Sequence, residues 1–160
     1  MLDLYPWSDL WVICDSPSTN VPRSLRALIS SQSPEDAEKA YEELNIFVVV
    51  QGSVFSSAVA CVDVLLAALG GTVSGAACEK IFELLWMISE GNTDDEERAR
   101  GHYNCAEGAD SAISRGFWLL VTFLDSPNPI VRKYCLELVG SSRNAKKRRV
   151  DSVYRRPFRL

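Results

Sequence analysis

Val21, Leu25, Leu28 and Ile29 stand at i, i+4, i+7 and i+8, and the same one-faced spacing returns along the whole chain. Ala37, Ala40, Tyr41 and Leu44 follow Ser33-Pro34-Glu35-Asp36, where a serine can cap, a proline suits the first turn and two carboxylates meet the positive end of a helix. Val59, Val62, Leu65, Leu66 and Leu69 precede Gly70-Gly71, and Ala77, Ile81, Leu84, Leu85 and Ile88 run from Ser74 to a stop at Gly91. A further helix is expected from about Ala109 to Leu124, with Ile113, Phe117, Leu120 and Leu124 inward. The last follows Pro129, with Val131, Cys135 and Leu138 on one face. No segment shows sustained alternation closed by an Asn-Gly or Asp-Gly pair. These features predict an all-α fold of about six helices, with the acidic stretch between Gly91 and Asn104 as a long loop or frayed turn. Trp86 and Trp118, on apolar helices, are expected in the core.

One stretch resists this reading. "NIFVVVQGSVFSSAVACVDVLL", residues 45–66, begins like a buried strand and ends like a helix. β-Branched residues lower helix propensity by only tenths of a kcal/mol each, so burial of Ile46, Val48 and Val49 can keep them helical. We read the stretch as the end of the second helix, a bend at Gln51-Gly52-Ser53 and a third helix, with a short extended piece as the alternative. The uncharged run from Leu44 to Val62 is long enough for a bilayer, but Gln51, Gly52, Ser53, Ser56 and Ser57 fall near its middle, where a span is most apolar. No membrane association is expected.

The N-terminus has no basic n-region and carries Asp3 and Asp9, so no secretory signal is expected. Five cysteines, an odd number without a CxxC pair, point to free thiols used as small core residues in a reducing compartment, most simply the cytoplasm. At 160 residues the size is that of one domain. Charge divides it nonetheless: residues 1–142 carry 9 Lys+Arg against 20 Asp+Glu, and residues 143–160 carry 8 against one. The expected organisation is a helical body, 1–142, and a basic tail, 143–160.

Two helix-turn-helix stretches look alike. "SLRALISSQSPEDAEKAYEEL" and "WLLVTFLDSPNPIVRKYCLEL" align Ser33-Pro34 with Asn128-Pro129 and Ala40 with Cys135, as in repeats whose hairpins bury their apolar faces only by stacking. "FLDSPNPIVRKYCLELV" resembles a HEAT repeat, through Asp125, Pro129, Val131, Arg132 and Cys135. The wider arrangement, Val21 to Leu28, then Gln51 to Ala58, then Val59 to Leu69, looks like a group of short bacterial HEAT-like proteins over about residues 5–142. That resemblance implies stacked antiparallel helical hairpins, an α-solenoid. Because some of the group are encoded among toxin-immunity loci, it also implies an immunity protein.

Candidate chemistry is sparse. His102, the sole histidine, sits in "HYNC" without the paired spacing of a zinc site or a Gly-x-Ser-x-Gly elbow, and is expected to be a solvated loop residue. Gly70 to Gly75 lacks the lysine of a phosphate loop. No cofactor, metal or enzymatic activity is expected. Asp94, Asp95, Glu96 and Glu97 form an acidic run suited to steering a basic protein, with solvation alone as the simpler reading. Trp7 and Trp11 are the candidate aromatic contacts, or else caps on the open end of the stack. Lys146, Lys147, Arg148 and Arg149 could bind nucleic acid or an anionic membrane surface, fold back on the acidic body with Val150, Val153, Tyr154 and Phe158 as anchors, or form an inert tail. The resulting expectation is a non-enzymatic module that binds a cognate toxin, such as a basic nuclease. A HEAT-like scaffold and nucleic-acid binding through the tail are the alternatives.

Overall fold

A computed structural model describes residues 1–13 and 16–140; Cys14 and the basic tail, with Lys146 to Arg149, lie outside the described residues. Two short 3-10 turns, Leu2–Leu4 and Trp7–Asp9, lead into a two-residue ladder of β1 (Trp11–Val12) and β2 (Ser16–Pro17). Helices α1 (Val21–Ser30) and α2 (Pro34–Val48) form the first hairpin. Strands β3 (Val49–Val50) and β4 (Ser53–Val54) follow, then α3 (Ser57–Leu69) and α4 (Gly75–Ser89). After these come β5 (Asn92–Thr93), α5 (Asp95–Ala99), α6 (Cys105–Arg115), α7 (Phe117–Val121) and a final helix, α8, over residues 129–140. The chain is mostly helical, as its spacing predicts, with a small sheet that the sequence reading lacked.

Helices α2, α4 and α8 start where side chains satisfy free N–H groups. Ser33 Oγ accepts from Asp36 N at 3.1 Å, Ser74 Oγ from Ala77 N at 3.0 Å, and Asn128 Oδ1 from Ile130 N at 2.8 Å. Seven residues beyond each cap lies a buried side chain, respectively Ala40, Ile81 and Cys135. Helix α1 packs beside α3 and α3 beside α6, while α2 packs on α1 and α4. The face of α8 meets α4 through Trp86 and Tyr134, whose ring centroids are 5.3 Å apart, and meets α7 where Cys135 Sγ donates to the Leu120 carbonyl at 2.9 Å. At the centre lies α3, apolar almost all round, with Cys61, Val62, Val64, Leu65, Leu66 and Leu69 buried. Among the described residues no helix is long and apolar enough to cross a membrane.

Several expectations need correction. The helix predicted to run on through Val49 and Val50 ends at Val48, and these valines enter a hairpin: Val49 pairs Val54 and Val50 pairs Ser53. Its two-residue turn needs left-handed backbone at both positions, which Gln51 (φ 51°) and Gly52 (φ 80°) adopt. Gln-Gly is not the usual pair for that turn, because a side chain in the left-handed region costs about 1–2 kcal/mol, so no hairpin signal is legible at this position. Ile46, assigned to the core, is 59% exposed. The second correction is to the loop after Gly91. It begins with β5, which adds to β4 in parallel, Ser53 beside Asn92 and Val54 beside Thr93, and continues as the short helix α5. The single helix expected to Leu124 is likewise two, divided at Gly116. A Cβ there would stand 2.7 Å from both Leu66 methyls, so the backbone of α6 and α7 closes directly onto α3.

Candidate partner-binding surfaces

The acidic run is built into the fold residue by residue. Asp94 caps α5, its Oδ1 accepting from Glu96 N at 2.8 Å. Asp95 pairs with Arg98 at 3.0 Å, and Glu96 with Arg100 at 3.7 Å. Glu97 has turned inward, with a side chain 0% exposed; Oε1 accepts the Ser56 N–H at 2.9 Å, and Oε2 lies 2.7 Å from His102 Nδ1. With Nδ1 protonated, the imidazole donates to that carboxylate. Glu97 therefore secures the entry to α3 and is unavailable to a partner, and His102, expected to be merely solvated, is its neighbour. Asp95 and Glu96 remain at the surface.

Neither candidate tryptophan is a free surface aromatic. Trp7 is buried, its Nε1 donating to the Leu2 carbonyl at 2.7 Å. Trp11 is half-buried beneath the Arg100 guanidinium, 4.7 Å from the ring centroid, and its backbone N–H donates to Ser56 Oγ at 2.9 Å. Trp11 and Tyr5, whose hydroxyl donates to Asp63 Oδ2 at 2.6 Å, fix the N-terminal segment to α3 and its first turn. Asp63 also accepts from Arg115 at 2.9 Å, joining α3 to α6.

The surface that sequence reasoning missed crosses α2, α4 and α8. Lys80 Nζ lies 2.6 Å from Glu38 and 2.9 Å from Glu83, and 4.8 Å from the centroid of the Tyr41 ring. Tyr134 packs on Trp86 beside it, and Asn128 Nδ2 donates to Glu79 at 2.9 Å. Glu38, Glu79, Glu83 and Glu137 are all partly exposed, against Lys80 and the exposed Lys133. Burial works against the Lys80 ammonium, but the two carboxylates outweigh it and hold its pKa above the ordinary lysine value. Glu38, Lys80 and Glu83 sit off the apolar stripes of their helices, and only the packing of three helices brings them beside Tyr134.

Trp118 is the other omission. Assigned to the core, it is 80% exposed, its ring edge-on to Phe117. The signal was present: Ile113, Phe117, Leu120 and Leu124 define one stripe, and position 118 lies about 100° away from 117 around a helix.

The cysteines among the described residues are free. Cys61, Cys105 and Cys135 are buried and Cys78 is half-buried. Burial pushes all four thiols up, Cys78, Cys105 and Cys135 to about 11, which disfavours the reactive thiolate.

The tyrosine latch gives a pH dependence. Burial first, and then the bond to Asp63, push the Tyr5 hydroxyl up to about 12. A tyrosine with a higher pKa folded than unfolded contributes stability that is complete below its unfolded value of about 10 and disappears as pH rises through the folded one. Lys80, also raised, acts in the same direction. We expect the urea midpoint to fall between pH 10 and 12, and to fall less in Tyr5→Phe; an unchanged midpoint over that range would count against the latch.

Comparison with protein-family models, with curated proteins and with solved structures gives no match for this chain.

Proposed function

We propose that the chain is a non-catalytic protein-binding module, most concretely an immunity protein that binds and neutralises a cognate toxin with a basic surface, such as a nuclease. The observation that carries this reading is the half-buried surface over α2, α4 and α8, where four carboxylates surround aromatic rings. Lys80, held between Glu38 and Glu83 and over Tyr41, illustrates how such a surface receives an ammonium group. Tyrosine and tryptophan beside charged residues are the side chains on which binding energy concentrates.

A HEAT-like stack is the architecture that fits this role. Its hairpins would be α1 with α2, α3 with α4, and α6–α7 with α8, and the three equivalent caps at Ser33, Ser74 and Asn128 support it. In such a stack the second helices of successive hairpins line one continuous surface.

The test is protection of a host cell against effectors encoded beside this chain, with affinity measured for the purified pair. Replacing Glu79 and Glu137 by lysine is expected to weaken binding by about tenfold or more, since like charges would then face the partner. Replacing the peripheral Asp95 and Glu96 should slow association with less effect on dissociation. Absence of protection against every such effector, or affinity untouched by the Glu79 and Glu137 replacements, would overturn the reading.

A further inference from the structure

Two carboxylates of the surface over α2, α4 and α8 have no cation among the described residues. Glu38 and Glu83 share the Lys80 ammonium, whereas Glu79 accepts the neutral Asn128 amide at 2.9 Å, and neither it nor Glu137 pairs with a described lysine or arginine. Both stand near Tyr134, whose ring packs on Trp86 with 5.3 Å between centroids and 34° between planes. Burial first, and then Glu83, Glu137 and Glu79 against the opposing Lys80, hold the Tyr134 hydroxyl above its ordinary value, so these carboxylates lie within electrostatic reach of it. Trp86, Tyr134 and the carboxylates are all partly exposed. One cation already marks the position: Lys133 Nζ lies 5.2 Å from the Tyr134 centroid. Lys133 is exposed and makes no ion pair among the described residues, so little holds its ammonium there.

We propose that this part of the surface recognises arginine: it takes one arginine side chain of a basic protein partner over Tyr134 in place of Lys133, with the guanidinium N–H groups donated to Glu79 and Glu137. The inference rests on the partner-binding reading of the same surface and names the group that the surface selects. A guanidinium suits the position better than an ammonium on two counts. It is planar, so it stacks on an aromatic face, and its fork of donors serves one carboxylate bidentately while a further N–H reaches a second. Lys133 illustrates the difference, since its ammonium reaches the ring yet pairs with neither carboxylate. Lys80 is not the group to be displaced, because its side chain is 16% exposed and two carboxylates hold it at 2.6 and 2.9 Å. The two lysines therefore differ in role. Lys80 neutralises Glu38 and Glu83 and keeps them in place, leaving the charge of Glu79 and Glu137 to the partner. Lys133 is a resident competitor, which an arginine displaces and another lysine, with the same chemistry, replaces at no advantage.

The experiment titrates the full chain with acetyl-Gly-Arg-Gly amide and follows the indole N–H signal of Trp86 by proton–nitrogen correlation NMR, the signal being assigned by its loss in Trp86→Phe. The arginine peptide should move the Trp86 signal saturably and leave that of Trp118 in place. Its lysine counterpart should bind several-fold more weakly, and its citrulline counterpart, planar but neutral, should leave the signal unmoved. Glu137→Gln should weaken the arginine peptide several-fold. Lys133→Met should strengthen it several-fold, a gain that a merely structural role for Lys133 would not produce. A Trp86 signal that the arginine peptide does not move would overturn the proposal. Equal binding of the lysine or citrulline peptide would do the same, as would a Lys133→Met chain that binds no better than the unaltered one. The titration needs no toxin, so the two readings fail separately: cell protection absent with arginine binding intact would sink the immunity reading alone, and protection present without arginine binding would sink this inference alone.

Discussion

Glu97→Ala is expected to destabilise the protein by about 3 kcal/mol, the upper part of what single substitutions do. Two partners lose their carboxylate at once. The Ser56 N–H, at the start of α3, is left without its acceptor, and His102 Nδ1 loses the group 2.7 Å away, while the vacated volume lies in a site with no solvent access. Ser56 also receives the Trp11 N–H on its hydroxyl, so the loss spreads to the N-terminal segment. Glu97→Gln keeps an acceptor for Ser56 but surrenders the charge opposite His102, and should cost about 1 kcal/mol. Urea denaturation of both variants, with a His102→Ala cycle, measures the coupling. A Glu97→Ala midpoint equal to wild type would mean that the carboxylate is solvated and the junction is held by other contacts.

Gly91→Ala is the second large effect, about 2 kcal/mol or somewhat more, and it arises from overpacking. A Cβ at this position would stand 2.3 Å from Val54 Cγ2 and 3.2 Å from the Gly52 carbonyl, so it cannot be added without moving β4 or β5. The parallel pairing of Ser53 and Val54 with Asn92 and Thr93 depends on that close approach. Val54→Ala in the same chain should recover part of the loss, because it removes the nearer obstacle; this rescue separates a local clash from a general intolerance of alanine. No loss in Gly91→Ala alone would show that the strands are not this closely packed.

Both sites lie where the sequence was least legible, and for one physical reason. Periodicity reveals which side of a helix faces inward, and it located α1, α2, α3, α4 and α8 with their buried residues, because Leu25, Leu44, Leu65, Ile81 and Cys135 each report a local register. Strands two residues long have no period to report. Glu97 stands in a row of four acids of identical appearance, and only its neighbours in space, Ser56 from 41 positions away and His102, distinguish it from Asp95. The carboxylate surface over α2, α4 and α8 is non-local in the same sense: Glu38, Lys80 and Tyr134 lie on three helices. Trp118 is the opposite case. Its position off the stripe was written in the sequence, and the apolar character of the helix concealed it.

The parallel alignment of β4 with β5 also dictates an order of events during folding. Ser53 and Asn92 are 39 positions apart, and everything between them is α3, α4 and their turn. Bringing such distant residues together in open coil costs chain entropy that two residue pairs cannot repay. Once α3 and α4 have packed antiparallel, however, their ends are already adjacent and the pairing costs little. The sheet is thus a late product of the helical hairpin, and Glu97, which follows it by a few residues, closes on Ser56 only after the core has formed.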